Sequence, residues 1–362
     1  MIKVLNIVVN GLSREGIVST QLEYMKWINK EQYQIDIAAV HNNKADVISE
    51  FEVLGCRVVH FPDRLSNPLK YIISLYTTMK KEHYDVVHVH GSSSLLLMEL
   101  LPAFFAGVKM RIAHSRNTTC NYKLLDKLLR PFFYRCYTKA LACGNEAGEF
   151  LFKGRPFTIL YNGKDFSRFA YSESIRTTWR KKLKLADKLC LGFVGNLNNQ
   201  KNPTFLVDIL RKVRDKREDV QLVIVGDGYL REKIVEYAEL NEVLDAITFV
   251  GRVNNVNDLL QAMDIMLLPS LYEGLPNVVL EWQISGLQSF VSDKVTRECK
   301  ATNLVNFLPI DEGAEIWADM LLKQKICCNR TEISQRACKE MKEKGFEIQS
   351  SCRMLEAIYS DK

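Results

Sequence analysis

The sequence predicts an α/β protein of two doubly wound domains that face each other across a cleft. Three observations carry this expectation. A chain of 362 residues exceeds what one hydrophobic core usually serves. Short apolar runs alternate with helical stretches throughout, the pattern of parallel sheets covered on both faces. A polar, charge-rich stretch, 167–188, with Arg180-Lys181-Lys182 inside it, separates two series of such runs.

The first series places strands near 2–9, 34–40, 56–61, 85–90, 109–114, 139–143 and 157–161. The second places them near 190–195, 220–226, 246–250, 264–268, 287–292 and 304–309. The expected division is a first domain over 1–170, a linker over 171–189 and a second domain over 190–345, followed by a terminal helical segment over 346–362. Ligands of such sheets bind beyond the carboxyl ends of the strands, and every residue cluster described below falls at a strand end.

Composition is that of an ordinary globular chain, 47% hydrophobic and 25% charged. Ten cysteines form no C-x-x-C pair, and only Cys327 and Cys328 are adjacent, which suits a reducing cytoplasm better than a disulfide framework or a zinc site. Val4 to Asn10 reads as a first strand, too short for a signal peptide. No apolar run approaches the ~20 residues that span a bilayer. Charge is uneven: residues 1–184 carry a net of +11 and residues 185–362 a net of −5. No nucleic-acid-binding signature accompanies the basic half, so an anionic membrane surface or a pyrophosphate-bearing acceptor is expected instead of nucleic acid.

In the second series, Glu273 and Glu281 stand eight positions apart across the turn Gly274-Leu275-Pro276-Asn277. Glu273 is expected in a strand-to-helix loop and Glu281 one turn inside the helix. Backbone N–H groups of that helix start would receive an anion. Two carboxylates around a phosphate-receiving turn suit a ligand with hydroxyls at both ends and diphosphate between, as in a nucleotide-sugar. Such spacing also arises by chance, and Glu is favoured near helix starts in any case. Lys201, in the loop that begins Gly195-Asn196-Leu197, is placed to offer charge to a diphosphate, although a lysine at a helix start can also be a plain surface residue. Gly226 permits a tight turn after another strand, and Val250 and Arg252 lie where backbone groups could read a nucleobase edge. A purely structural turn explains either equally well.

In the first series, the loop from Gly11 to Gly16 can lie under a bound phosphate but is no G-x-G-x-x-G fingerprint. His88 and His90 put two imidazoles on one face of a strand end. With no third ligand suggested nearby, they read as structural or cleft-lining, and no metal site is expected. His114 and Arg116 end the next strand. Between Lys123 and Lys139, five basic residues mingle with Leu124, Leu125, Leu128, Leu129, Phe132 and Phe133 at helical spacing. That segment fits a membrane-interface helix or a core-facing helix with a solvated basic face.

The order of motifs resembles the retaining GT-B glycosyltransferases of family 4, the group 1 transferases of capsular and exopolysaccharide assembly. The strings are VHVHG (87–91), AHSRNTT (113–119), YNGKDFSRF (161–169), GFVGNLNNQKN (192–202), IVGDGYLRE (224–232), FVGRV (249–253) and LPSLYEGLPNVVLEWQISGL (268–287). The resemblance implies two Rossmann-like domains and a last helix that packs back on the first. It implies that Glu281 holds ribose hydroxyls, Glu273 contacts hydroxyls of the donor sugar, and backbone N–H groups from Gly274 to Asn277 bind the distal phosphate. Lys201 would neutralise charge on the departing diphosphate without a metal or other cofactor, and Gly16 would lie beneath it. The family usually has Arg where Asn196 stands and a second His where Arg116 stands. It also has two glycines where Glu15-Gly16 stands and often an acidic residue at Val18.

The expected activity is transfer of a hexose from a nucleotide-sugar, a UDP-sugar by preference, to a lipid-linked saccharide on the inner face of the plasma membrane. Alternatives are a non-catalytic GT-B subunit that binds a lipid-linked intermediate or partner transferase, and, more weakly, a nucleotide-sugar epimerase.

Overall fold

The computed structural model describes residues 1–14, 16–324 and 329–361. Glu15 and the adjacent Cys327 and Cys328 lie outside them. The chain divides into two compact units, Met1–Lys164 with Gly345–Lys362, and Asp165–Lys344.

The first unit runs β1 (Ile2–Val8), α1 (Gly16–Trp27), β2 (Tyr33–Ala39), α2 (Ala45–Val53), β3 (Arg57–His60), α3 (Pro68–Glu82), β4 (Val86–Gly91), α4 (Leu97–Ala106), β5 (Met110–Ser115), α5 (Lys123–Cys136), β6 (Lys139–Ala142), α6 (Asn145–Phe152) and β7 (Thr158–Ile159). Its strands pair in parallel in the order β3-β2-β1-β4-β5-β6-β7, so the order reverses between β1 and β4. Side chains alternate across each strand. Val4 and Val8 of β1 pack with Val18, Tyr24 and Met25 of α1 on one face. Leu5 and Ile7 pack with Tyr71 and Leu75 of α3 and Leu100 of α4 on the other. Burial on both faces explains why these strands read as near-continuous apolar runs. Each such side chain contributes about 1.5–3 kcal/mol of transfer free energy.

The second unit continues with α7 (Phe166–Phe169), α8 (Glu173–Lys182), β8 (Leu189–Val194), α9 (Thr204–Arg214), β9 (Val220–Val225), α10 (Arg231–Leu240), β10 (Ile247–Gly251), α11 (Val256–Ala262), β11 (Ile265–Leu268), α12 (Asn277–Ile284), β12 (Gln288–Ser292), β13 (Val305–Leu308), α13 (Ala314–Leu322) and α14 (Arg330–Glu343). Its strand order is β10-β9-β8-β11-β12-β13, with the reversal between β8 and β11. Every strand read from the sequence is present, with ends displaced by at most two residues.

The stretch 171–189 is not the free linker its polarity suggested. It carries α8, which packs on α11. Arg176 and Arg180 reach Asp264 at 2.5 and 3.1 Å, and Asp264 also accepts from the backbone N–H of Cys190 at 2.8 Å. Arg330 at the start of α14 donates to the carbonyls of Leu260, Gln261 and Met263, at the carboxyl end of α11, where a cation is favoured. Burial pushes the Arg330 guanidinium down to about 9. Of the charge-rich stretch, Arg176 and Arg180 are spent on one buried carboxylate, while Lys181 and Lys182 stay exposed.

The last helix, α15 (Ile348–Ser360), belongs to the first unit. Lys164 N–H donates to Phe346 O at 2.8 Å and Ile348 N–H to Lys164 O at 2.9 Å, which ties the returning chain to the end of the first unit's sheet. Ile348, Cys352, Leu355 and Tyr359 form one stripe in the core with α1.

Candidate functional site

In the second unit the sequence-predicted donor residues gather at the carboxyl ends of β8, β9, β10 and β11. After β8, Asn196 and Leu197 lead into a short 3-10 turn, Asn199–Lys201, capped by Asn198 Oδ1, which accepts from Lys201 N–H at 3.0 Å. Lys201 therefore closes that turn, three residues before α9. Its Nζ lies 2.6 Å from Glu273 Oε1. Gln200 Nε2 donates to Glu273 Oε2 at 3.1 Å and to Tyr272 O at 3.0 Å, while Gln200 O accepts from Leu271 N–H at 2.8 Å. Both carboxylate oxygens of Glu273 are thus engaged by the loop after β8. Because the pair is largely buried, removing either charge would strand the other in a poorly solvated site.

The neighbouring loops are held by backbone contact. Gly226 N–H donates to Gly251 O at 2.8 Å, and Leu197 N–H to Asp227 O at 3.0 Å. Gly226 has φ +131°, and a Cβ there would sit 2.0 Å from Gly195 O, so only glycine serves. The β9–β10 ladder skips Val250, a bulge of the kind that redirects a strand end, and Arg252 is exposed beyond it. After β11, Gly274 and Leu275 lead to Pro276, which caps α12 without a side-chain hydrogen bond. Asn277 opens α12 and Glu281 lies half-buried one turn in. Gln200 is the residue that sequence reasoning missed. It adjoins Lys201, but its contact with Glu273 depends on β8 and β11 being sheet neighbours.

In the first unit, Gly16 is the first residue of α1. His88 and His90 share a face of β4, and the register sets His114 of β5 directly beside His90. The third imidazole absent from the sequence reading is therefore supplied by His114, and nitrogens of all three rings lie within 4.8 Å of one another. Hydrogen bonds engage part of this set. His88 Nε2 meets His114 Nδ1 at 3.0 Å, His88 Nδ1 meets Tyr359 Oη at 2.8 Å, and Arg116 Nε donates to His90 Nδ1 at 3.1 Å. His90 Nε2 and His114 Nε2 are buried with no hydrogen-bond partner among the described residues. Arg116 Nη1 also donates to Asn162 Oδ1 at 2.7 Å. Burial, with added repulsion from Arg116, holds all three histidines well below their ordinary value, so they are neutral at pH 7.

These histidines make stability acid-sensitive. With folded pKa values below the unfolded value of about 6.5, the unfolded chain binds more protons below that pH. Stability is present above pH 6.5 and falls as pH drops below it, by up to about 1.4 kcal/mol per pH unit for each histidine. Urea midpoints followed from pH 8 to pH 5 are expected to fall below pH 6.5, and His114→Asn is expected to flatten that fall by about one proton. A profile unchanged by the substitution would contradict the neutral, buried His114.

Comparison with known proteins agrees with this geometry. A family model described as "Glycosyl transferases group 1" matches residues 188–322. EpsF of Bacillus subtilis, named as a glycosyltransferase, is 30% identical over 331 residues, covering 87% of this chain and 86% of that protein. The UDP-Gal:alpha-D-GlcNAc-diphosphoundecaprenol alpha-1,3-galactosyltransferase of Escherichia coli is 27% identical over 308 residues, 80% of this chain and 79% of that protein. The crystal structure of Anabaena Alr3699/HepE in complex with UDP superposes with a TM-score of 0.82 at 15% identity, over 100% of both chains. The two Rossmann-like units are those of the GT-B fold, and the chain is placed with transferases rather than epimerases. The protein belongs to the group 1 glycosyltransferases.

Proposed function

We propose that this glycosyltransferase moves a hexose from a UDP-sugar to a lipid-linked saccharide, with retention of anomeric configuration, during assembly of a capsular or exopolysaccharide. The observation that carries this reading is the cluster of Lys201, Gln200 and Glu273 at the point where the strand order of the second sheet reverses, beside the start of α12. Open parallel sheets bind nucleotides there. Lys201 supplies charge to the departing diphosphate, the α12 start receives its distal phosphate, and Glu281 takes the ribose hydroxyls. Glu273, already the counter-ion of Lys201, exchanges part of that contact for hydroxyls of the hexose. The acceptor oxygen attacks C1 from the face that the diphosphate leaves. The C1–O bond to phosphate breaks, the new C1–O bond forms, and the acceptor proton passes to the departing phosphate oxygen. No side-chain base and no metal or other cofactor is required. The Escherichia coli relative, whose name specifies UDP-galactose and a diphosphoundecaprenol acceptor, supports both substrate classes.

The first unit supports a peripheral position on the inner face of the plasma membrane. Among the described residues no helix is long and apolar enough to cross a membrane. On α5, Phe133 and Cys136 are buried, yet Leu124, Leu125, Leu128 and Phe132 form a second apolar stripe that faces outward, 44–74% exposed. Lys123, Lys127 and Arg135 are exposed on the same helix. Phe104 and Phe105 at the end of α4, which packs on α5, are exposed as well. An apolar outer stripe among cations fits anionic lipid better than solvent.

Two outcomes test the proposal. Lys201→Ala and Glu281→Ala are expected to keep the circular dichroism of the wild type and to lose about a hundredfold or more in transfer rate. Wild-type turnover in both would overturn the site assignment. Leu128→Asp combined with Phe132→Asp is expected to abolish co-sedimentation with phosphatidylglycerol vesicles, and equal binding of wild type and variant would remove α5 from the membrane face.

A further inference from the structure

Helices α3, α4 and α5 cover one face of the first sheet, with α4 in contact with both of the others. A helix in that place normally turns apolar residues to the sheet and polar ones to water. α3 does not. Its buried stripe is Tyr71, Leu75 and Met79. Leu69, Ile73 and Tyr76 form a second apolar stripe, 38–76% exposed. Positions two apart on a helix differ by about 200°, so Leu69 and Ile73 point away from the side that Tyr71 and Leu75 bury. α5 has the same two-sided pattern, and Phe104 and Phe105 of α4 are exposed as well.

Charge on this face is one-sided. Each of the three helices has a single acidic residue, and each of these is committed to a cation of the same unit. Glu82 of α3 pairs with Lys3 and Arg57, Glu99 of α4 with Arg64, and Asp126 of α5 with Arg130. The exposed charges of α3 are Lys70, Lys80 and Lys81, and Lys80 continues the outward stripe one turn beyond Tyr76. Lys109 is exposed just after α4. Apolar side chains grouped in this way on a surface mark an interaction site, and the cations select its partner. A second copy of the same face would set lysines against lysines, which is unfavourable. A bilayer with anionic headgroups meets both demands, because its acyl boundary takes the apolar stripes and its headgroups take the lysines.

We propose that α3 is a second membrane contact of the first unit, with Leu69, Ile73 and Tyr76 at the headgroup boundary of an anionic bilayer and Lys70, Lys80 and Lys81 among the headgroups. This deepens the peripheral reading made for α5 and rests on it for the class of partner. The strand order sets α3 and α5 on either side of α4. Two contacts so placed hold that face of the sheet along the bilayer, where one helix alone would let the unit swing. Because one sheet joins them, their affinities multiply, and loss of either removes most of the binding.

Co-sedimentation of the full chain with phosphatidylcholine vesicles, with and without phosphatidylglycerol, tests the contact. Leu69→Asp combined with Ile73→Asp is expected to weaken binding to the phosphatidylglycerol vesicles by about tenfold or more while α5 is intact. Lys70→Glu combined with Lys81→Glu removes no apolar side chain and covers the case in which the aspartate variant does not fold. It is expected to weaken binding by about tenfold as well. Binding lost in the α3 variants but kept in Leu128→Asp with Phe132→Asp supports the proposal, and only the α5 assignment then falls. The reverse, wild-type binding by the α3 variants with binding lost in the α5 variant, overturns the proposal and leaves α5 standing. A wild type that does not bind phosphatidylglycerol vesicles overturns both, and equal binding to phosphatidylcholine alone overturns the anionic partner. A wild-type dimer in sedimentation velocity that Leu69→Asp with Ile73→Asp disperses also overturns the proposal, because a second copy then covers α3.

Discussion

The adjacency of β8 and β11 in the second sheet is the constraint on which the proposed donor site depends. These strands are far apart in sequence and belong to opposite halves of the strand order, so the loops that follow them diverge in their later course but begin side by side. Gln200 and Lys201 come from one loop and Glu273 from the other, and both oxygens of that carboxylate are used in holding the two together. The ion pair is weak ground for claiming stability, because desolvating both partners offsets most of their attraction. Its consequence is positional. A lysine with a nearby carboxylate is held in one place, where the proposed function has an incoming diphosphate compete for the same ammonium group.

The first unit solves a different electrostatic problem. Its sheet brings three imidazoles to one face and keeps them neutral by burial, then sets a guanidinium beside them with only neutral acceptors. In the second unit, by contrast, three arginines surround Asp264 and the carbonyls next to it. One arrangement is closed by its own carboxylate. The other leaves His90 Nε2 and His114 Nε2 buried without a hydrogen-bond partner among the described residues.

Much of this organisation was legible in the sequence. Strands buried on both faces announce themselves as apolar runs, which is why all thirteen were found close to their observed ends. That Lys201 and Glu273 lie in strand-end loops and Glu281 one turn into a helix was legible because local order along the chain fixes those placements. What was not legible depends on pairing between distant segments. The third histidine follows from the β4–β5 register, and the role of Gln200 follows from the neighbouring of β8 and β11. The stretch 171–189 looked like a linker because its arginines appear solvent-bound until Asp264 is placed next to them. The outward apolar stripe of α5 was hidden for a related reason: its helical spacing alone does not say which of two apolar stripes the core takes.

The central claim is that the second unit binds a UDP-sugar without a metal, and a thermal-shift panel tests it most directly. UDP-, GDP-, ADP- and dTDP-sugars, each with and without magnesium, would be added to the full chain. A donor at 100 times its Kd should stabilise the fold by about 2.7 kcal/mol, an easily resolved rise in Tm. The account predicts a rise with UDP-sugars that is unchanged by magnesium and absent with the other nucleotides. A magnesium-dependent rise, or none with any UDP-sugar, would contradict it.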